Sequence, residues 1–167
     1  FKQFTISQTH AAMKVGTDGV LLGAWADISN ANRILDIGTG TGVIALMLAQ
    51  RNATALIDAV EIDTPSAKQA EANAAKSHWG NRITIANKSF QDFVAESDNW
   101  YDLIVSNPPY FEQSLKSPFE HKTLVRHNDT LPYDELLNGI SRLLTNKGKF
   151  CGVFPYTEGN VFIAKAT

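Results

Sequence analysis

Short apolar segments rich in isoleucine and valine alternate with segments of helical periodicity along this chain. Several of the short segments are apolar almost without interruption, which is typical of strands that helices cover on both faces. We expect five strands from this pattern, at residues 33–37, 56–62, 82–86, 101–106 and 149–154. A turn at residues 146–148 is predicted to precede the last strand.

Apolar residues at helical spacing lie before and between these strands. The predicted helices occupy residues 18–25, 42–51, 64–77 and 133–144. Thr17 or Asp18 is the expected N-cap of the first helix. Thr64 is the expected N-cap of the third helix, with Pro65 in its first turn. Strands and helices in alternation predict an α/β fold, with an open, mostly parallel sheet and helices on both of its faces.

A glycine-rich turn follows the first predicted strand, which contains Asp36 and continues as Ile-Gly-Thr-Gly-Thr-Gly into a helix. Glycines at this place allow a tight turn and let the backbone approach a ligand beyond the carboxyl end of the strand. The spacing is not the G-x-G-x-x-G of dinucleotide sites, and no P-loop lysine follows. Asp36 would repel a pyrophosphate and attract an ammonium group, which favours a cationic ligand such as S-adenosylmethionine over NAD.

The ends of the next two strands carry residues that suit the rest of such a ligand. Glu61 lies 23 residues after Gly38, at the tip of the neighbouring strand, where a carboxylate can accept both hydroxyls of a ribose. Asp63 has a sufficient structural explanation beside the start of the following helix. Ser89 and Phe90 are placed by their position to face an adenine, although a core position explains Phe90 almost as well.

The fourth strand leads directly into Asn107-Pro108-Pro109-Tyr110. The two prolines lack the N–H groups that a strand needs, so the strand ends here, at the same edge of the sheet as the glycine turn. The carbonyl groups of Asn107 and Pro108 can accept both N–H bonds of a conjugated amino group such as adenine N6. That arrangement turns the nitrogen lone pair toward an electrophilic methyl group, and Tyr110 can stack on the planar substrate.

Composition and charge limit the remaining possibilities. The 167 residues are 44% apolar and 19% charged, which is typical of one globular domain. The single Cys151 excludes an internal disulfide, and no apolar run is long enough to cross a membrane, which indicates a cytoplasmic setting. A net charge of −2 argues against a surface that binds nucleic acid everywhere, but it permits a local basic loop. Residues 111–132 form such a loop, with Lys116, His121, Lys122, Arg126 and His127.

The segments DIGTGTG, AVEID and NPPY, in this order, resemble the class I S-adenosylmethionine-dependent methyltransferases that act on amino or amide nitrogens. FKQFTISQTHAAMKVGTDGVLLGAWA at the start of the chain, together with IVSNPPYFEQS, resembles more narrowly the bacterial tRNA1(Val) N6-adenine methyltransferases. Those enzymes modify the adenine just 3′ of the anticodon. The resemblance implies a single Rossmann-like methyltransferase domain over residues 1–167, with a cofactor-covering segment at 1–30 and a core at 31–167.

Carried over position by position, the resemblance also implies a set of cofactor-binding residues. These residues are Lys14, Thr17, Asp36, Gly38, Gly40, Glu61, Ser89, Phe90 and Asn107. In this interpretation Asp36 lies beneath the methionine end, and residues 14–18 fold over it. Glu61 holds the ribose, while Ser89 and Phe90 hold the adenine.

The same resemblance implies the residues that act on the substrate. The expected catalytic residues are Asn107, Pro108 and Tyr110. Tyr110 is also expected to bind the substrate, and the basic residues expected to contact the tRNA backbone are Lys116, Lys122 and Arg126. An unpaired adenine in an anticodon loop is flipped into a pocket at little cost. We expect a monomer with no metal ion and no membrane partner.

Two departures from the family pattern leave alternatives open. Many relatives have an aspartate where Ser89 stands, and the family continues beyond the fifth strand, so we expect the C-terminal strands to be missing from this chain. Asn-Pro-Pro-Tyr also suits the amide nitrogen of glutamine, as in the N5-methylation of a release factor. Methylation of guanine N2 in ribosomal RNA, or an RNA-binding module that holds S-adenosylmethionine without turnover, are further alternatives.

Overall fold

The computed structural model describes residues 1–9, 11–108 and 131–167. The helices in these residues are α1 (Thr17–Trp25), α2 (Val43–Arg51), α3 (Thr64–Ala75), α4 (Phe90–Glu96), α5 (Tyr133–Leu143) and α6 (Tyr156–Ala166). The strands are β1 (Arg33–Ile37), β2 (Leu56–Glu61), β3 (Ile83–Asn87), β4 (Tyr101–Ser106) and β5 (Leu144–Gly152). A short 3-10 turn at Gly80–Arg82 precedes β3.

The strands of the described residues form one parallel sheet in the order β3-β2-β1-β4-β5. In the centre of this sheet Asp36 of β1 lies opposite Ala59 of β2 and Val105 of β4. From β1 the chain moves outward to β3 and then returns to the other side of β1 to form β4. A reversal of this kind opens a crevice beyond the carboxyl ends of the strands. The predicted α/β fold with an open parallel sheet is therefore confirmed.

Helices cover both faces of the sheet and divide the core in two. On one face α1, α2 and α3 pack against a cluster that includes Ile34 and Leu103. On the other face α4, α5 and α6 pack against a cluster that includes Leu35 and Ile104. Successive side chains of a strand point to opposite faces, so neighbouring residues of β1 and β4 belong to different clusters. Burial on both faces explains why these strands are apolar almost throughout.

The predicted bounds hold for β1 and β4, whereas the prediction for β5 is partly wrong. This strand begins at Leu144, and the expected turn at residues 146–148 lies inside it. Its pairing runs from Tyr101↔Leu144 to Leu103↔Lys149, so the register shifts and β5 carries additional residues there. The turn-forming residues of this segment therefore form a bulge within a continuous strand and do not end the strand.

The expected helix caps at Thr17, Asp18 and Thr64 are also wrong. The N-cap of α1 is Gly16, with no side-chain hydrogen bond to cap the helix. The N-cap of α3 is Asp63, whose carboxylate accepts a hydrogen bond of 3.0 Å from the backbone nitrogen of Ser66. The carboxylate one residue before Thr64 reaches the free amide of the first turn, so α3 starts at Thr64 itself.

Two helices of the structure were not expected from the pattern of apolar residues. The seven-residue α4 is too short to show a helical period, and α6 contains Gly159, which weakens its helix propensity. Both helices cover the second face of the sheet. In the described part of the chain, no helix combines the length and the apolar character needed to cross a bilayer.

Candidate functional site

A cavity of about 240 Å³ opens at the carboxyl edge of the sheet. Its wall is built by the turn after β1, the end of β2, the end of β4 and the segment before α1. The start of α4 and Leu131, just before α5, close another side. The cavity therefore lies at the point where the strand order reverses, as expected for a ligand site in an open parallel sheet.

The glycine turn forms the floor of this cavity. Gly38 and Gly40 have φ angles of 70° and 57°, which side chains other than glycine rarely tolerate. A Cβ atom built on either residue would meet no other atom within 4 Å, because both face the open cavity. The backbone nitrogens of Gly38 and Thr39 donate to the Val60 carbonyl oxygen at 2.9 and 3.0 Å and so fix the turn against β2. The structure places both glycines in the cavity wall.

Glu61 lies beside this turn, at the end of β2, and is 9% exposed. Its Oε2 accepts a hydrogen bond of 2.8 Å from the Gly40 nitrogen, and its Oε1 accepts one of 2.9 Å from the Asp63 nitrogen. A carboxylate has about four acceptor positions, so each oxygen can accept a further hydrogen bond from a ligand. Glu61 thus holds the glycine turn and also presents acceptors to the cavity.

Asp36 is buried beneath the turn and does not line the cavity. Its Oδ2 accepts hydrogen bonds from Thr39 Oγ1 at 2.6 Å and from the Ala45 nitrogen at 3.2 Å. Its Oδ1 is buried and has no hydrogen-bond partner among the described residues. Burial raises the pKa of this carboxyl to about 7, and the Glu61 carboxylate adds to the shift, while the bonds from Thr39 and Ala45 oppose it. The structure therefore gives Asp36 a clear part in shaping the turn.

An N-terminal strap, defined here as residues 4–9 and 11–16, covers one side of the cavity. Its last five residues, Ala12 to Gly16, lie in the cavity wall, and the predicted cofactor-binding residue Lys14 is among them. The Ala12 nitrogen donates to Ser66 Oγ of α3 at 3.0 Å, and the Val15 nitrogen donates to the Gln8 side chain at 2.9 Å. Thr17, the first residue of α1, is exposed and lies outside the cavity wall.

The end of β4 brings Ser106, Asn107 and Pro108 into the cavity wall. Ser106 Oγ donates a hydrogen bond of 3.0 Å to the Ile37 carbonyl oxygen, which ties the end of β4 to the end of β1. A Cβ atom built on Gly19 would lie 3.8 Å from Asn107 Nδ2, so α1 packs directly beside this side chain. Several predicted site residues lie outside the described residues: Pro109, Tyr110, Lys116, His121, Lys122, Arg126 and His127.

The structure separates Ser89 from Phe90, which the sequence had placed together at an adenine. Phe90 lines the cavity and also belongs to the second core cluster, so its ring has a core position as well as a face at the cavity. Ser89 does not line the cavity and is the N-cap of α4. Its hydroxyl accepts a hydrogen bond of 3.0 Å from the Asp92 nitrogen and donates one of 2.6 Å to the Asp92 carboxylate.

Several side chains of the cavity wall were missed by reasoning from the sequence, among them Ile62, Lys88 and Gln91. Ile62 is 51% exposed although it is apolar, and it directly follows Glu61. An apolar residue just beyond a strand-end carboxylate is a signal that could have indicated a surface for a flat ligand. Lys88 and Gln91 flank the start of α4, and that helix was not predicted.

The comparison with protein families gives one match over most of the chain. The family described as "Methyltransferase small domain" matches residues 10–150. A protein of Dyadobacter fermentans is 50% identical over 166 residues, which cover 99% of this chain and 68% of that protein. A protein of Bacteroides fragilis is 51% identical over 163 residues, which cover 97% of this chain and 68% of that protein. Both are named tRNA1(Val) (adenine(37)-N6)-methyltransferase.

Solved structures with the same fold are also methyltransferases. A ribosomal protein L11 methylase of Lactobacillus delbrueckii subsp. bulgaricus matches with a TM-score of 0.65 and 18% identity, over 96% of this chain and 73% of that one. An O-methyltransferase of Brevibacillus brevis, in complex with S-adenosyl-L-homocysteine, matches with a TM-score of 0.59 and 20% identity. That match covers 80% of this chain and 39% of the other. These likenesses show a Rossmann-like methyltransferase fold, and the sequence relatives show the family: the chain belongs to the methyltransferase small domain family and, within it, to the family of the tRNA1(Val) (adenine(37)-N6)-methyltransferases.

Proposed function

We propose that this protein transfers a methyl group from S-adenosylmethionine to the N6 amino group of adenine 37, just 3′ of the anticodon, in tRNA1(Val). The observation that carries the proposal is the position of Asn107 and Pro108 in the wall of the cavity that the glycine turn and Glu61 also line. The relatives that are about 50% identical over nearly the whole chain support the same substrate. We also propose one domain over residues 1–167, in which residues 1–30 cover the cofactor and 31–167 form the core.

The residues of the cavity fit S-adenosylmethionine. The absence of side chains at Gly38 and Gly40 leaves room for the ligand directly above the turn. Glu61 retains acceptor positions for two ribose hydroxyls, and the exposed Ile62 beside it offers an apolar surface for the adenine. Lys14 in the strap lies over the same cavity. When bound, S-adenosylmethionine supplies an electrophilic methyl group on a positively charged sulfur.

The role of Asp36 in this proposal follows from its burial. Its Oδ1 is the one buried side-chain oxygen or nitrogen of the described residues that lacks a hydrogen-bond partner. An unpaired buried acceptor is costly, so it favours an N–H donor or a water molecule arriving with the ligand. We propose that Asp36 supports the amino end of the cofactor from below the turn, without forming part of the cavity wall.

The proposed chemistry at the substrate needs positioning and no side-chain base. The lone pair of an adenine amino group is delocalised into the ring, which makes the nitrogen a poor nucleophile. The Asn107 side-chain carbonyl and the Pro108 backbone carbonyl accept its two N–H bonds, so the lone pair is directed out of the ring plane and into the cavity. Tyr110 stacks on the flipped base, and the prolines keep the acceptors in place at little entropic cost.

The proposed tRNA contacts come from the basic segment that follows Tyr110 in the sequence. Lys116, Lys122 and Arg126 neutralise phosphates of the anticodon stem-loop, while the base itself enters the cavity. An unpaired adenine is available there without the opening of a base pair. The cytoplasm, which holds both tRNA and S-adenosylmethionine, is the proposed location.

A methyl-transfer assay with separate acceptors tests this proposal. The full-length protein is incubated with labelled S-adenosylmethionine and with total tRNA, total rRNA or a release factor. We expect label in tRNA alone, recovered as N6-methyladenosine after digestion. A tRNA1(Val) transcript with guanine in place of adenine 37 is the matched control and accepts no label. Label only in the release factor would show that the methyl acceptor is a glutamine amide and not adenine. Cofactor binding without label in any acceptor would show that the protein binds S-adenosylmethionine without turnover.

A further inference from the structure

Asn73 on α3 joins the N-terminal strap to the glycine turn, two segments that are distant in sequence. The residue is 2% exposed. Its Nδ2 donates to the carbonyl oxygens of Ser7 and Thr41, both at 2.8 Å, and its Oδ1 accepts from the Ser7 nitrogen at 2.9 Å. One buried amide therefore holds both backbone polar groups of Ser7 in the strap and one carbonyl group of the glycine turn.

The three hydrogen bonds require an amide at this position. Two donors and one acceptor on the same short side chain are available only from asparagine, because aspartate has no donor and serine does not reach. Asn73 itself lies outside the cavity wall, whereas Thr41 is part of it. Any effect of Asn73 on a ligand must therefore pass through Ser7 and Thr41.

The strap is also attached to the rest of the protein on each side of Ser7. Phe4 is buried, and its ring meets Trp79 edge to face with 5.9 Å between the ring centroids. Further along, the Ala12 nitrogen donates to Ser66 Oγ at 3.0 Å. The bonds to Asn73 differ from both of these attachments because they link the strap to the same side chain that holds the glycine turn.

We propose that Asn73 is a positioning residue that clamps the strap to the glycine turn and thereby sets the affinity of the cavity for S-adenosylmethionine. This inference rests on the proposed function, which supplies the ligand. Without the amide, the strap is closed in a smaller fraction of molecules, and the apparent affinity falls in proportion to that fraction. The rate of transfer from the loaded enzyme changes little, because Asn73 contacts neither cofactor nor substrate.

Asn73→Ala and a matched control variant, Asn52→Ala, test the clamp in the full-length protein. Asn52 lies at the opposite edge of the sheet, where its Nδ2 donates to the Ala31 carbonyl oxygen at 2.9 Å and its Oδ1 accepts from the Ala55 nitrogen at 2.7 Å. Both variants remove an asparagine whose side chain joins separate backbone segments, but only Asn73 contacts the strap. Calorimetry gives the Kd for S-adenosylmethionine, steady-state kinetics give KM and kcat, and hydrogen exchange reports the Ser7 amide.

We expect Asn73→Ala to raise the Kd and the KM for S-adenosylmethionine about tenfold, since it removes several buried hydrogen bonds. We expect kcat to stay within about threefold and the Ser7 amide to exchange faster, whereas Asn52→Ala leaves the Kd within about twofold. A Kd unchanged by Asn73→Ala, or raised equally by both variants, would overturn the clamp. A loss in Asn73→Ala that is confined to kcat would also overturn the clamp.

Ser7→Pro keeps the proposal testable if Asn73→Ala fails to fold. It removes the N–H donor of the half-buried Ser7 and leaves the bond between Asn73 and Thr41 in place. We expect a raised Kd for S-adenosylmethionine again, and an unchanged Kd would contradict the clamp. If the wild-type protein binds S-adenosylmethionine and both variants leave its Kd unchanged, the clamp is overturned and the proposed function is not. A wild-type protein that binds none would overturn the proposed function.

Discussion

The two edges of the sheet use their polar groups in different ways. At the amino edge, the guanidinium group of Arg82 donates to the carbonyl oxygens of Ala55, Ala49 and Asn52 at 2.6 to 3.1 Å. The Asp102 carboxylate at the same edge accepts from two successive backbone nitrogens at the start of β1. These side chains hold the backbone of neighbouring segments together.

At the carboxyl edge, polar groups and open space remain available. Gly38 and Gly40 leave the floor of the cavity uncovered, and Glu61 retains acceptor positions. Asp36 Oδ1 has no partner among the described residues. The amino edge of this fold therefore joins backbone segments, whereas the carboxyl edge leaves acceptors and open space for the proposed ligand. A substitution at each edge should therefore change different measurements.

The largest expected effect is on turnover at the carboxyl edge. Asn107→Ala removes a proposed acceptor for the amino group, so we expect kcat to fall about 1000-fold while the Kd for S-adenosylmethionine stays within about threefold. Single-turnover transfer to tRNA and calorimetry measure the two quantities. Equal losses in both would show that Asn107 mainly supports the cofactor. Gly19→Ala is a useful companion, because its new methyl group has ordinary contact distance to Asn107 Nδ2 and should leave kcat nearly unchanged.

A smaller effect is expected at Glu61, where cofactor binding and the turn geometry meet. Glu61→Ala removes the acceptor for the Gly40 nitrogen and the proposed acceptors for the ribose, so the Kd for S-adenosylmethionine should rise about 100-fold. Glu61→Gln keeps one carbonyl oxygen and should lie between the wild type and the alanine variant. Isothermal titration of all three proteins measures the series. An unchanged Kd for the alanine variant would refute the ribose assignment.

The amino edge should show the opposite behaviour. Arg82→Met keeps much of the aliphatic length but removes the donors to three carbonyl groups, so the free energy of unfolding should fall by about 2 kcal/mol. Urea denaturation measures this change, with the Kd for S-adenosylmethionine recorded on the same samples. We expect that Kd to stay within about twofold. A large loss of affinity without a loss of stability would break the comparison between the two edges.

The sequence indicated several residues of this cavity wall because their signals are local and their geometry follows from the sheet. Glycines after β1, a carboxylate after β2 and Asn-Pro-Pro after β4 each mark a strand end, and parallel strands bring those ends to one edge. The contacts of Asn73 could not be predicted in the same way. Its bonds to Ser7 span 66 residues and leave no periodic pattern.

Ser89 shows why one residue was expected at the cavity and lies outside its wall. A serine after a strand can contact a ligand or begin a helix, and the short α4 has too few residues to reveal its period. Its side chain is used by the helix start, where it bonds to Asp92. The cap preference of serine was the stronger signal, because it needs only the next three residues.

Asp36 should make the stability of the protein depend on pH. Burial raises its pKa from 3.8 to about 7 in the folded protein, so between these pH values the folded state holds a proton that the unfolded state releases. The free energy of unfolding should therefore fall as the pH rises through this range, by at most about 1.4 kcal/mol per pH unit, and Asp36→Asn should remove that part of the slope. Urea denaturation at several pH values between 4.5 and 8 gives the difference between the two proteins. Parallel stability curves for the two proteins would contradict the shifted pKa. Thr39→Val removes the hydrogen-bond donor that favours the charged form of Asp36, so the pH range in which the free energy of unfolding falls should extend to higher pH.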